Sequence, residues 1–240
     1  MLVENNNNNF NFLIEGNIGA GKSTFVEKLK YLELGVPIKI FPEPVNIWTN
    51  YNNHNYLQYF YDNPRKWTFA FQQMVLNTAA NVYRDNQQMD LNTSQINFFE
   101  RSMYSPINIF ALQQYKSNVL CDAEMDLIRK VTDDTCKWIN YDIKGIIYVR
   151  TDPQITRDRM VKRNRKEDCT LPLGYLQDLH QLHDEWLMGD MKKTNLPVLI
   201  YENNTNVTIE NFDRVKQEIS SWIQNPTDKV INPELFSQQE

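Results

Sequence analysis

The densest run of residues committed to chemistry is Gly16-Asn17-Ile18-Gly19-Ala20-Gly21-Lys22-Ser23, followed by Thr24. Its spacing of glycine, four residues, then Gly-Lys-Ser is that of a loop that cradles phosphate. The glycines let the backbone curl until successive N–H groups point inward, and a helix opening near Lys22 adds its positive end. In that arrangement the Lys22 ammonium reaches the β- and γ-phosphates of a nucleoside triphosphate, and the Ser23 hydroxyl ligates Mg2+. An apolar run, Phe12-Leu13-Ile14, precedes the loop and a helical pattern follows it, as the motif requires.

Three further clusters carry charge at suggestive places. Phe41-Pro42-Glu43-Pro44-Val45 ends a second apolar run. Ligands of open α/β sheets bind beyond the carboxyl ends of the strands, so a carboxylate fixed there between prolines can accept the proton of an attacking hydroxyl. It can equally be a surface glutamate in a rigid turn. Phe98-Phe99-Glu100-Arg101-Ser102 ends a third run. Its carboxylate and guanidinium suit a metal ion and a transferring phosphoryl group, or form a structural ion pair. Arg157, Arg159, Lys162, Arg163 and Arg165 lie in one helical stretch, with 159 and 163 four apart on one face. A solvated basic face is the ordinary outcome. In a chain of net charge −5, the clustering suggests a lid that clamps triphosphate.

The elements that must position these residues follow from the apolar pattern. Short runs rich in Ile, Val, Phe and Leu occupy residues 10–15, 38–41, 96–99, 143–149 and 196–201. They are apolar on successive residues, as are strands buried on both faces of a parallel sheet. Helical stretches lie between them at 23–34, 64–90, 153–165 and 171–191. In the second, Trp67, Phe71, Val75 and Ala79 recur every four residues and share a face. In the third, Asp152 is a plausible N-cap with Pro153 at the first helical position. In the fourth, Leu176, Leu179, His183 and Trp186 or Leu187 face inward. The expected fold is a three-layer α/β/α architecture of the P-loop NTPase kind, with a five-stranded parallel sheet and an Arg-rich helical lid at about 159–170.

The composition agrees. The chain has 240 residues with 41% hydrophobic and 23% charged, enough for one domain without disulfide or metal support. We expect an Asn-rich tail at 1–9, a domain at 10–225 and a C-terminal tail at 226–240. The acidic balance argues against a nucleic-acid polymer as partner, and no apolar run is long enough to span a membrane. Cys121, Cys136 and Cys169 are odd in number and widely spaced, so free thiols in a reducing, cytoplasmic setting are expected.

Taken in order, these motifs resemble those of the deoxyribonucleoside kinases of the deoxycytidine, deoxyguanosine and mitochondrial thymidine kinase type, with the broad-specificity insect members the nearest. The resemblance rests on Ile14-Glu15 through Thr24, Glu43-Pro44-Val45 with Trp48, Trp67 through Phe71-Gln72, and Glu100-Arg101-Ser102. Arg163-Asn164-Arg165, Pro172-Leu173, Leu182-His183 and Trp186-Leu187 follow in the same order. It implies transfer of the γ-phosphate of ATP, with Mg2+, to the 5′-hydroxyl of a deoxynucleoside by a homodimer. Glu43 is then the general base. Lys22 and Arg101 stabilise phosphoryl charge, and Ser23 and Glu100 serve the metal. Gln72 reads the base edge, since an amide both donates and accepts. Phe71 and Phe110 pack around the base, although ordinary core packing is the simpler reading of those rings by themselves. Trp48, Leu57 and Val75 line the pocket, Tyr61 meets the 3′-hydroxyl, and Arg159, Arg163 and Arg165 form the lid.

Three positions depart from the pattern. Asp168 stands where the family has a glutamate for the 3′-hydroxyl. Ala79 and Pro106 stand where members that use deoxycytidine and purines carry an arginine and an aspartate. The loss of that pair points to thymidine or pyrimidine preference, with space for broader use. Alternative readings are a purine deoxynucleoside kinase, a nucleoside monophosphate kinase such as a thymidylate kinase, and a non-catalytic nucleotide-binding module.

Overall fold

The computed structural model describes residues 9–87, 94–165, 167–168, 171–205 and 209–238. The expected N-terminal tail, except Asn9, lies outside the described residues, as do Cys169 and the last residues of the helix expected at 64–90.

In β1 (Asn9–Glu15), Leu13 points into one apolar layer while Phe12 and Ile14 point into the other. That is why this strand is apolar without alternation. The chain continues through α1 (Lys22–Leu29), β2 (Ile38–Phe41), α2 (Val45–Thr49), α3 (Tyr56–Asp62), α4 (Pro64–Gln87) and β3 (Gln95–Glu100). A π-helical turn (Pro106–Phe110) runs into α5 (Ala111–Lys116). Then come α6 (Asp122–Trp138), β4 (Gly145–Arg150), α7 (Pro153–Arg163), α8 (Leu173–Leu187), β5 (Val198–Glu202), α9 (Ile209–Gln224) and β6 (Lys229–Ile231).

The strands form one sheet in the order β2-β3-β1-β4-β5-β6, every neighbouring pair parallel. On one face Leu13, Phe99, Ile146, Tyr148 and Ile200 pack against α4 and α8 through Leu76, Tyr83, Leu176, Leu179 and Trp186. On the other, Phe12, Ile14, Phe98, Ile147 and Leu199 pack against α1 and α9 through Phe25, Leu29, Val215, Ile219 and Trp222. This is the expected three-layer α/β/α fold of the P-loop kind.

The sheet has six strands rather than five. Residues 229–231, placed above in a C-terminal tail, pair with β5 in the register Leu199↔Lys229 to Tyr201↔Ile231. A strand of three residues is too short to show a period of its own, and the open edge of β5 is what defines it. Nor do the expectations include α6 or α9, although Val215, Ile219, Trp222 and Ile223 recur at helical spacing. Helix α1 ends at Leu29, short of the expected 34. Helix α8 starts after its N-cap Pro172 and ends at Leu187, so it covers less than 171–191. Among the described residues, no helix is long and apolar enough to cross a membrane.

Helix α1, which leaves β1, packs on one face of the sheet, and the segments that leave β3 pack on the other. Between the carboxyl ends of β1 and β3 this opens a crevice, the place where such sheets bind ligands.

Candidate active site

The phosphate loop joins β1 to α1. Gly19 and Gly21 adopt left-handed backbone at φ 76° and 90°, a region that favours glycine. At Gly16 a Cβ would lie 2.5 Å from the Val149 carbonyl oxygen, so only glycine lets β4 approach. Asn17 ties the loop down: its Nδ2 donates to the Leu176 carbonyl at 2.8 Å and its Oδ1 accepts from the Ile18 N–H at 2.8 Å. Lys22 is buried and donates to the carbonyls of Gly16 (3.2 Å) and Asn17 (3.0 Å). Burial, then the nearby Arg101 charge, push its pKa down to about 8, against the pull of Glu43, Glu100 and Glu15.

The ends of β2 and β3 bring the other charges to the same crevice. Arg101 Nε donates to Glu43 Oε1 at 2.7 Å, and Arg101 Nη1 donates to the Gly16 carbonyl at 3.0 Å. The arginine has a left-handed backbone at φ 67°, unusual for a residue with a side chain. Its N–H donates to the Ile14 carbonyl at 3.0 Å, which anchors that turn to β1. The guanidinium lies over the Phe110 ring at 4.6 Å. Burial works against its charge, yet Glu43, Glu15 and Glu100 outweigh it and hold its pKa above the ordinary value. Ser23 Oγ donates to Glu100 Oε1 at 2.9 Å, so the two oxygens assigned to a metal are adjacent.

These groups share the walls of a cavity of about 600 Å3. One end is the phosphate loop (Ile18, Gly19, Gly21 to Thr24), and the other is aromatic and apolar (Trp48, Leu57, Phe60, Phe71, Val75, Phe110). Phe71 stacks on Phe60 at 5.1 Å and meets the edge of Trp48 at 5.7 Å. Trp48 is fixed in turn by Nε1 donating to Thr78 Oγ1 at 3.0 Å. Gln72 also lines this end, and its Oε1 is buried with no hydrogen-bond partner. An orphaned buried amide oxygen is costly unless a ligand satisfies it. Tyr61 lines the middle, where burial raises its pKa well above the ordinary value and keeps the phenol a donor.

The arginines expected to form a lid, Arg159, Arg163 and Arg165, also line the cavity. Arg159 donates to the carbonyls of Ala20 (3.3 Å) and Asn203 (3.0 Å). Arg163 and Arg165 pair with Asp168. Burial raises the Asp168 pKa, and those two arginines oppose the rise.

Two expected substrate contacts are not on this wall. Ala79 lines a smaller adjoining cavity with Phe41, Val82 and Tyr141. Ala79 lies one turn of α4 beyond Val75, which lines both cavities. Pro106 is buried at the start of the π-helical turn. Gly16, Asn17 and Ala20 shape the loop from behind without facing the cavity. Conversely, sequence reasoning missed Phe60, Pro42 and Val45, which do line it. Phe60 stands three residues after Leu57 on α3, so helical spacing from that residue would have found it.

A parallel sheet with a phosphate loop after its central strand, and a carboxylate–arginine pair opposite, defines a P-loop phosphotransferase. The model of the deoxynucleoside kinase family matches residues 12–226. The chain is 34% identical to deoxycytidine kinase of Homo sapiens over 209 residues, 78% of each chain. It is 28% identical to mitochondrial thymidine kinase 2 of Homo sapiens, covering 92% of this chain and 77% of that one. To deoxycytidine kinase 2 of Gallus gallus it is 30% identical, covering 85% of both. The chain belongs to the deoxynucleoside kinase family and is an enzyme, an ATP-dependent deoxynucleoside kinase.

Proposed function

We propose that this enzyme transfers the γ-phosphate of ATP to the 5′-hydroxyl of deoxynucleosides, preferring thymidine and other pyrimidines while tolerating larger bases. The observation that carries the reading is the pairing of Glu43 with Arg101 at 2.7 Å in the wall of one cavity. The same cavity is lined by the phosphate loop and by Gln72, whose amide oxygen is unpaired. A nucleoside fits with its base edge on Gln72, its ring between Phe71 and Phe110, and its sugar near Tyr61 and Asp168. Its 5′-hydroxyl then lies beside Glu43.

Glu43 accepts the hydroxyl proton, and Lys22, Arg101 and the lid arginines hold charge on the phosphoryl oxygens. Catalysis of this kind is mostly positioning and electrostatics. The residues present fit Mg2+. Ser23 Oγ and Glu100 Oε1 are adjacent hard oxygen donors. Among the described residues no group of three His, Cys, Asp or Glu is gathered to cage a metal. Mg2+ typically takes one or two protein oxygens and completes its shell with phosphate and water. Held by Ser23 and Glu100, it would supply positive charge to the triphosphate.

Pyrimidine preference is supported by the apolar surroundings of Gln72, and the adjoining cavity at Ala79, which shares Trp48 and Val75 with this one, brings no ionisable side chain at that position. A kcat/KM panel over the four deoxynucleosides tests it, with thymidine monophosphate as a fifth acceptor. Thymidine should lead, and the monophosphate should not react. A lead for deoxyadenosine or deoxyguanosine rejects the base preference, and turnover of the monophosphate rejects the nucleoside-kinase reading.

The working form we infer is a cytoplasmic homodimer. A groove of about 430 Å3 between α4 and α6, edged by the exposed Trp138, supports the association. The cytoplasmic part of this reading rests on the odd number and wide spacing of Cys121, Cys136 and Cys169 in the sequence.

A further inference from the structure

Glu15, the last residue of β1, is completely buried. None of the steps above uses it. Its Oε1 accepts from the hydroxyls of Ser102 (2.6 Å) and Ser105 (2.7 Å). Its Oε2 is buried with no hydrogen bond and lies 3.9 Å from Arg101 Nη1. A neutral amide would satisfy the two serines equally well. Burying a full carboxylate is costly, and the cost is offset only by a charge held opposite. The cation nearest that oxygen among the described residues is Arg101, already engaged by Glu43 and by the Gly16 carbonyl, with the Lys22 charge a weaker influence. Three carboxylates (Glu15, Glu43, Glu100) thus surround two buried cations (Lys22, Arg101).

We propose that Glu15 is a positioning residue for phosphoryl transfer: its buried carboxylate holds the Arg101 guanidinium in place when Glu43 turns from that arginine to the 5′-hydroxyl. A movement of about 1 Å brings Nη1 within hydrogen-bond distance of the unpaired Oε2. Through Ser105 the same carboxylate fixes the start of the π-helical turn that carries Phe110, whose ring lies against the guanidinium. One side chain therefore couples the phosphate loop, the arginine and the aromatic wall. The inference rests on the reading of Glu43 and Arg101 given above.

The test is a double-mutant cycle on the full-length enzyme. Glu15→Gln keeps the shape and an acceptor for the serines but removes the charge. It should lower kcat on the order of 10–100-fold. The nucleoside KM and the ATP Kd should stay within about threefold of wild type, with Glu15→Asp recovering part of the loss. In an Arg101→Gln background the same change should alter kcat by less than about threefold, because the arginine it acts through is gone. An equal loss in both backgrounds, or a wild-type kcat for Glu15→Gln, overturns the inference alone. A wild-type kcat for Arg101→Gln overturns the underlying reading of that arginine and this inference with it. If Glu15→Gln does not fold, Ser105→Ala loosens the same carboxylate and is judged by the same criterion in both backgrounds.

Discussion

Glu43 and Arg101 are held by different strands yet share a hydrogen bond of 2.7 Å, and neither neutralises the other's role. The arginine keeps its contact with the Gly16 carbonyl while the carboxylate retains a second oxygen for a hydroxyl proton. Glu43→Gln preserves the side-chain volume and abolishes proton acceptance. Its kcat should fall by about 10²–10⁴ while the ATP Kd changes little, as measured by single-turnover kinetics and calorimetry. Unchanged turnover would remove Glu43 from the reaction. Lys22 gives a pH signature. In the nucleotide-free enzyme its pKa lies near 8, below the ordinary lysine value, so raising pH through 8 removes its charge. Bound triphosphate favours the charged form. ATP binding should therefore take up roughly three quarters of a proton at pH 8.5 and weaken as pH rises from 7 to 9, as read by calorimetry in buffers of different ionisation enthalpy. Binding that is flat across that range would mean that Lys22 stays charged throughout.

The phosphate loop, the π-helical turn and the lid each convert local backbone geometry into placement. In the loop, Gly16 has φ 151° and no space for a Cβ against the Val149 carbonyl. Gly16→Ala should force the loop away from β4, with a stability cost of about 2 kcal/mol. In a chain of this size that lowers the midpoint of thermal unfolding by about 4–8 °C. ATP affinity should fall with it, since the N–H groups that cradle phosphate move. A normal midpoint with normal ATP binding would show that the loop has another way to accommodate a side chain. The arginines proposed as a lid behave differently, because they are not free charges. Arg163 and Arg165 are paired with Asp168, so an incoming triphosphate must compete for them. The same carboxylate stands where the sugar's 3′-hydroxyl is proposed to bind, which places acceptor and donor sites on one short segment.

At the scale of the whole molecule, the three layers leave one face with an unusual side chain. Trp138 is 78% exposed at the end of α6, beside a groove lined by Leu76 and Ala80 of α4 and by Val131 and Ile139. Tryptophan at the centre of an association surface commonly contributes 2 kcal/mol or more, roughly. If two copies meet there, Trp138→Glu should lower the native mass from two chains to one, measured by light scattering at low micromolar concentration. A variant that keeps the dimer would put the interface elsewhere.

Much of this was already set by residues close together along the chain. The spacing at 16–23 fixes a phosphate loop because its geometry depends only on neighbouring backbone. The apolar runs fix a parallel sheet because strands buried on both faces cannot alternate. Glu43, Glu100 and Arg101 follow from their places at strand ends, where ligands of such sheets bind. The tertiary structure decided what depends on elements crossing far from one another in sequence. It put Phe60 on the cavity wall and took Ala79 and Pro106 off it, since helix length and tilt determine which turn reaches the ligand. It paired the lid arginines with Asp168, added β6 to an edge that a run of three residues could not announce, and buried Glu15 against Arg101. A cavity wall is made of side chains from many elements, and only their packing together determines which of them face it.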